Sequence, residues 1–352
     1  MGIEDQPGRN DNVVGERPKF ANSVEDLISF AGAAENGFRQ GLRNIEPLRK
    51  RLDENAWPDF GKQIKPIPDT YPVPVWFRGQ PLLGEGLKPK CRRKTYSHVA
   101  QDENNFLAQF MREAHARSAE MLPAEHDYAG WLALAQHHGL PTRLLDWSGS
   151  ILVAAFFATE ECSAEDGIIY ALSPALLNAY LGERIGPTML ILENRDATVN
   201  ILRERFDLLT EDGRGKAIAY SWQCLKAKTL SERESDRVWP VLTNAETTEL
   251  IAGAFGVSDP TNSKILAVAP REMTRRIMQQ LGFFTIHGGG SGPLEKAPNH
   301  SDFLLEIKIP ATEKRNIRSQ LRLLGITRSH LFPDLDNLAT ELVDDYTNIR
   351  PS

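Results

Sequence analysis

The stretch that most constrains this chain is residues 131–158, WLALAQHHGLPTRLLDWSGSILVAAFFA. Two strongly apolar segments flank a pair of histidines, an arginine, an aspartate and a tryptophan. The first segment, residues 131–136, continues a helical pattern. Gly139 and Pro141 stop it, because Gly tolerates left-handed C-cap geometry and Pro disfavours helix in the residue before it. Ser148 stands where an N-cap is expected for a second helix carrying Ile151, Leu152, Val153, Phe156 and Phe157. That helix is apolar nearly all round, which predicts burial. The polar turn would then lie between two core helices, where every donor and charge needs a partner or a ligand.

At 352 residues the chain has length for one large domain or two average ones. A net charge of −6 provides no overall basic field to attract nucleic acid, although residues 88–94 (KPKCRRK) form a local basic patch. The three cysteines, Cys91, Cys162 and Cys224, are far apart and fit neither metal spacing nor a disulfide framework. They read as reduced thiols of a cytoplasmic protein. No apolar run has membrane-spanning length and the first residues lack a signal-peptide core, so no membrane partner is expected.

Residues 1–22 are rich in Gly, Asn, Asp and Pro and read as a disordered tail. Residues 23–57 read as a helical segment, from the spacing of Val24, Leu27, Ile28 and Phe30 and then Phe38, Leu42, Ile45 and Leu48. A proline-rich connection over 58–74 leads to PVWFRGQ at 74–80, a short buried strand ending in Arg78-Gly79-Gln80. Its arginine admits two accounts, a salt bridge at a sheet rim or an anion clamp. Gly79 lets a ligand or backbone approach closely. The basic patch at 88–93 reads as a solvated loop. Residues 104–121 read as an amphipathic helix, and 167–172, 189–192, 264–269, 283–286 and 303–309 as strands. Further helices are expected over 174–180, 199–209, 246–255, 271–281, 312–324 and 335–345, with Gly282 capping that over 271–281. Helices come first and strands mixed with helices follow, so the class is α+β.

Several chemistries find no motif. Walker-type loops, a G-x-G-x-x-G after a strand and a G-x-S-x-G elbow are absent, and Gly288 to Gly292 reads as a flexible surface loop. His137 and His138 are adjacent and cannot ligate from one helix face, so no metal site is expected. What remains is a set of polar groups near element ends: Arg78, Gln80, His137, Arg143, Asp146 and His287. Arg143 and Asp146 are three apart and either pair with each other or face a ligand. Trp147 either anchors the core or stacks on a base or nicotinamide ring. The set suits recognition of a phosphate-bearing aromatic ligand better than hydrolysis.

Four stretches then carry a resemblance: WFRGQ at 76–80, LALAQHHGLPTRLLDWSGSILVAAFFA at 132–158, RIMQQLGFFTIH at 276–287 and GITRSHLFPDLDNLA at 325–339. Together they resemble the FRG domain, a bacterial domain named for the Phe77-Arg78-Gly79 tripeptide, which would occupy residues 70–352. A distant similarity to ADP-ribosyltransferases of the Arg-Ser-Glu type rests on three elements. Phe77-Arg78-Gly79 resembles the aromatic-Arg-Gly of their first strand. Trp147-Ser148 followed by residues 153–158 is similar to their serine turn and helix. Gln279-Gln280 through Phe284 looks like their Glu-x-Glu turn and strand. This resemblance implies a split, mixed or antiparallel sheet with surrounding helices, and NAD as substrate. It further implies a toxin or effector, of toxin–antitoxin or anti-phage type, modifying nucleic acid or protein and held by a neutralising antitoxin. The alternative is a non-catalytic nucleotide- or nucleic-acid-binding FRG module. Implied contacts to NAD are Phe77, Arg78, Gly79, Gln80, His138, Thr142, Arg143, Trp147, Ser148 and Phe284. Implied catalytic positions are Arg78, His137, Asp146 and Gln280. Gln280 departs from the pattern, because a neutral amide stabilises an oxocarbenium-like transition state less than a carboxylate does. Asp146, and after it Glu306, are the acids that would supply the missing charge.

Overall fold

Short β-rich runs bounded by Gly, Pro and Ser form six strands in the computed structural model of this protein. It describes residues 20–43, 73–82, 86–96, 102–117, 122–123, 127–160, 164–181, 250–251, 253–255, 261–269 and 275–349. The strands are β1 (Trp76–Pro81), β2 (Leu144–Ser148), β3 (Gly167–Leu172), β4 (Ile265–Val268), β5 (Gly282–His287) and β6 (Leu304–Ile309). They make one sheet, ordered β4-β5-β2-β1-β3-β6, in which every neighbouring pair is antiparallel. Strand and helix assignments expected at 189–192 and 199–209 lie outside the described residues.

Helices surround the sheet: α1 (Val24–Arg43), α2 (Glu103–Arg117), α3 (Tyr128–His137), α4 (Ile151–Thr159), α5 (Pro174–Leu181) and α6 (Arg275–Gln280). The C-terminal part adds α7 (His300–Phe303), α8 (Lys314–Leu323), α9 (Arg328–Leu331) and α10 (Leu335–Ile349). Two apolar clusters result. The larger joins Phe30 of α1, Phe77 of β1, Phe156 of α4, Ile169 of β3 and Ile317 of α8. The smaller joins Leu107 of α2, Leu132 of α3, Leu144 of β2 and Phe284 and Ile286 of β5.

The middle of the sheet is uneven, and that unevenness positions the site. β2 pairs with β5 from Leu144 opposite Ile286 to Ser148 opposite Gly282, and β1 pairs with β3 along its whole length. Between β1 and β2 the only paired position is Phe77 opposite Ser148. The sheet therefore divides into two three-stranded halves that touch at a seam. At its outer edges it is covered. The side chain of Asn178 on α5 accepts from Ala267 N (2.7 Å) and donates to Ala267 O (3.2 Å), blocking the free edge of β4. On the other edge, Ala21 is fully buried and donates from its backbone N to Lys308 O at 2.8 Å.

Three local readings change. The segment expected to be a turn between two helices contains β2, whose five residues are too few to display a strand period beside two apolar helices. Ser148 therefore ends a strand, and the N-cap of α4 is Ser150, whose side chain accepts from Val153 N at 3.5 Å. Arg78 lies inside β1 rather than at its end.

The basic stretch 88–94 is no solvated loop either. It winds into two 3₁₀ turns, Lys90–Arg92 and Lys94–Tyr96, that bury Cys91. Arg92 Nη1 donates to Gly289 O (2.7 Å) and Ser291 O (3.2 Å). The glycine run is likewise fixed, with Gly288 N on Lys264 O and Gly290 N on Asn262 O, both at 2.8 Å. At the end of α6 the left-handed residue is Leu281 (φ 47°), while Gly282 already opens β5. No helix among the described residues is long and apolar enough to cross a membrane.

Candidate functional site

Alternation along β1 sends Phe77 and Gly79 to one face and Trp76, Arg78 and Gln80 to the other. On the first face α4 lies directly on the strand. A Cβ on Gly79 would overlap the carbonyl oxygen of Ala154 and come within 2.8 Å of Ala158 N. The close approach that this glycine permits is thus that of a helix backbone. Phe77 is buried in the larger core beside it. On the second face, Trp76 stacks on Phe283 of β5 with ring centroids 4.5 Å apart, bridging the seam.

Arg78 reaches across that seam. Its Nη1 donates to Asp146 O of β2 at 2.7 Å and its Nε to Gln80 Oε1 at 3.3 Å. The Asp146 carboxylate stands 3.9 Å from Nη1, beyond a direct hydrogen bond, and its side chain is 58% exposed against 15% for Arg78. Burial is the main force on the guanidinium, lowering its pKa to about 10, with Asp146 opposing and Arg93 adding to the shift. It remains a cation at neutral pH. The second Asp146 contact is to Gln136 of α3, whose Nε2 donates to Oδ2 at 2.9 Å. Gln136 Oε1 in turn accepts from Thr142 Oγ1 at 2.6 Å, and that oxygen accepts from Leu144 N at 3.1 Å. A half-exposed carboxylate beside a nearly buried cation is the polar focus of the seam.

The remaining sequence candidates fall into two groups. Ser148 and Gln280 join Arg78 at the seam. Ser148 Oγ donates to Gln280 O at 2.7 Å and accepts from Ser150 N at 3.0 Å, tying the end of β2 to the turn before β5. The Gln280 side chain is directed elsewhere, with Nε2 donating to Leu331 O of α9 at 3.0 Å. The other group is engaged in the fold. Trp147 is buried with Nε1 on Thr285 Oγ1 at 3.1 Å, and Phe284 belongs to the smaller core.

Arg143 does not pair with Asp146. It is buried against Glu103 at the start of α2, with Nε and Nη2 on Oε2 (2.9 and 2.8 Å) and its backbone N on Oε1 (2.9 Å). Its Nη1 holds Leu250 O at 2.9 Å. His137 and His138 sit at the end of α3 with ring centroids 5.1 Å apart. The His137 carbonyl accepts from Arg276 Nη1 at 3.2 Å. His138 lines a cavity of about 730 Å³ beside Phe106, Phe110, Ala114 and Leu134, which lies between α2 and α3 rather than at the seam.

Sequence reasoning passed over Gln136, which orients Asp146, and Arg276, a second cation in the field of Asp146 whose own pKa is lowered chiefly by burial. Both lie in motifs already singled out, but a Gln in a helix and an Arg in a short basic run carry no spacing signal. His287 is fully buried, its Nε2 3.0 Å from Thr285 Oγ1. Burial, then Arg92 and Arg78, push its pKa down to about 3. Among the described residues no group of three or more His, Cys, Asp or Glu side chains is placed to hold a metal ion.

Comparison with curated proteins found no match, and comparison with solved structures found none. The model of one family, the FRG domain, does match, over residues 73–167. That span holds β1, α2, α3, β2 and α4 and stops at the first residue of β3, short of β5. From ahead of the Phe77-Arg78-Gly79 strand to the end of the helix packed on it, the chain is thus similar to the FRG domain.

Proposed function

We propose that the β1/β2 seam binds NAD and that the protein is an ADP-ribosyltransferase-like enzyme, with Arg78 as the anion anchor and Asp146 as the acid. One observation supports this above all: the nearly buried Arg78 guanidinium lies 3.9 Å from a half-exposed carboxylate, next to the paired position, Phe77 opposite Ser148, that joins the two halves of the sheet. The three elements of the transferase resemblance come from β1, the end of β2 and the turn into β5, and these strands are neighbours in the order β5-β2-β1. In this reading Arg78 holds a phosphate of NAD through charge-assisted hydrogen bonds. Asp146, oriented by Gln136, faces the ribose and stabilises positive charge as the bond from C1′ to nicotinamide breaks. The bonding pair leaves with nicotinamide. C1′ is then captured by an oxygen or nitrogen of the target, which gives up its proton. A toxin or effector role on nucleic acid or protein, with a neutralising antitoxin, rests on the same resemblance.

A second reading, NAD or nucleotide binding without transfer, is favoured by Gln280. Its side-chain amide is occupied by Leu331 O, and it brings no charge to the seam. Asp146→Asn separates the two. It is isosteric and keeps an acceptor for Gln136, so NAD affinity should change little. Release of nicotinamide from NAD, followed by chromatography, should fall by about 100-fold, the scale of losing one charge-stabilising group. Wild-type protein that binds NAD yet releases no nicotinamide with any nucleic-acid or protein acceptor would leave the binding reading in place and end the enzymatic one.

A further inference from the structure

Leu335, Leu338, Leu342 and Tyr346 follow one another along α10 at spacings of three, four and four, which puts them on one face. In a folded domain such a face packs on the core. Here all four are exposed, Leu335 by 81% and Tyr346 by 73%, and no described side chain of α10 is buried. The helix packs on α9. Two polar contacts tie it there: Ser329 N donates to Glu341 Oε2 at 2.6 Å, and Arg328 Nη1 donates to Asn337 Oδ1 at 3.3 Å. A helix of fifteen residues is marginal in water unless its apolar face is packed. The stripe also belongs to a wider patch. Among the described residues thirteen large apolar side chains are exposed, and seven of them lie between Leu323 and Tyr346. Leu323 and Leu324, at the end of α8, are among those seven.

Charge is sorted along the same part of the chain. Residues 314–333 hold five Lys or Arg and no acid, whereas residues 334–349 hold five Asp or Glu and no Lys or Arg. Two copies of α10 laid on each other would therefore oppose like charges, which is costly at an interface. The complementary surface is on α8. Lys314 is buried, Arg318 lies over Phe156 and Arg328 holds Glu160, so the exposed cations of α8 are Arg315 and Arg322. Arg322 also acts on Glu341 of its own chain. Arg315 and Arg322 are seven apart and share one face, and Leu323 adjoins it.

We propose that α10 docks on α8 of a second copy of this chain, in a two-fold dimer. Each copy then gives one acidic and one basic apolar surface, so the contact is reciprocal and closes at two copies. The area suits such a contact. Burying Leu323, Leu324 and the four stripe residues, at roughly 60–120 Å² each, removes on the order of 500 Å² of apolar surface per copy. Homodimer interfaces are about 65% apolar, so the whole contact comes to about 800 Å² a side, that of a standard stable interface. The dimer does not draw on the NAD reading.

The test is sedimentation velocity of the full chain over a concentration series at low and high salt. The wild type should show a monomer–dimer equilibrium that shifts toward monomer as salt rises. Leu338→Ser combined with Leu342→Ser should weaken the dimer by at least about 100-fold, because each lost contact counts twice across the axis. Asp336→Asn on α10 and Arg315→Gln on α8 should each weaken it by about tenfold. If circular dichroism shows that the serine variant loses helix, Arg315→Gln, which leaves α10 unaltered, still decides. A wild type that stays monomeric at high micromolar concentration overturns the dimer and leaves the stripe to a different, basic partner. A serine variant that dimerises like the wild type overturns it too. Stronger association by Asp336→Asn would mean that α10 pairs with α10, and would overturn α8 as the receiving surface.

Discussion

Gly79→Ala should be among the most damaging single substitutions in the protein. The added methyl group would overlap the Ala154 carbonyl and crowd Ala158 N, and both are helix backbone that no side-chain rotation can move. Either α4 lifts off β1 or the strand bends at the seam. The same helix also approaches β3, where a Cβ on Gly167 would lie 2.6 Å from Ala158 O, so α4 is held by two glycines and cannot slide away from one without straining the other. Overpacking ordinarily destabilises by about 1–3 kcal/mol, and a clash with backbone belongs at or above the upper end. At about 2.1 cal/mol/K of unfolding entropy per residue, each kcal/mol shifts the midpoint of a 352-residue chain by about 1.4 °C, so Tm should fall by roughly 4 °C or more. Differential scanning fluorimetry reads it directly. An unchanged Tm would mean that α4 does not lie on β1 as described, and a larger glycine-to-alanine tolerance at 79 than at 167 would point the same way.

Glu103→Ala should be of similar severity for a different reason. Glu103 and Arg143 are 6% and 8% exposed, and the carboxylate satisfies Nε, Nη2 and the backbone N of Arg143 at once. Removing it leaves a guanidinium buried with only Leu250 O as a partner, a loss of about 3–5 kcal/mol. The double variant Glu103→Met with Arg143→Met should recover much of that stability, because a buried ion pair is often replaced by apolar packing at little net change. Urea denaturation of the wild type, Glu103→Met, Arg143→Met and the double variant forms the necessary cycle. Additive losses would show that the pair is not coupled. This bridge joins α2 to β2, so the pair also fixes the strand on which Asp146 stands.

These two cases show which features were readable from residues alone. The apolar character of residues 151–158 correctly predicted a buried helix, because a run without a polar face has nowhere else to go. β4, β5 and β6 were legible from β-rich runs bounded by breakers. β2 was not, because LLDWS is buried on both sides of Asp146, shows no two-residue alternation, and spans five residues between two stronger helical patterns. Partner identities were hidden for a plainer reason. Arg143 and Asp146 are three apart in sequence, but alternation on a strand sends neighbours to different surroundings, and Glu103 lies forty residues away on a helix whose register sequence does not give. The glycine of the Phe-Arg-Gly tripeptide illustrates the same limit. Its need for space was legible, whereas the identity of what fills the space, a helix rather than a ligand, depended on the packing of α4. At the seam, the convergence of Arg78, Ser148 and the Gln280 turn on three adjacent strands follows from the order of the sheet, which no local pattern encodes.

The central claim is that Arg78 anchors a dinucleotide at the seam, and isothermal calorimetry with NAD on wild type and Arg78→Gln tests it most directly. Glutamine removes the charge but ends two bonds short of the Nη1 that holds Asp146 O, so far-UV circular dichroism should confirm that both proteins are equally folded. The account predicts saturable NAD binding by the wild type and an affinity lower by at least about tenfold in the variant, as expected for losing a charge-assisted contact to phosphate. Equal affinity in the two proteins, or no binding of NAD by folded wild type, would contradict it.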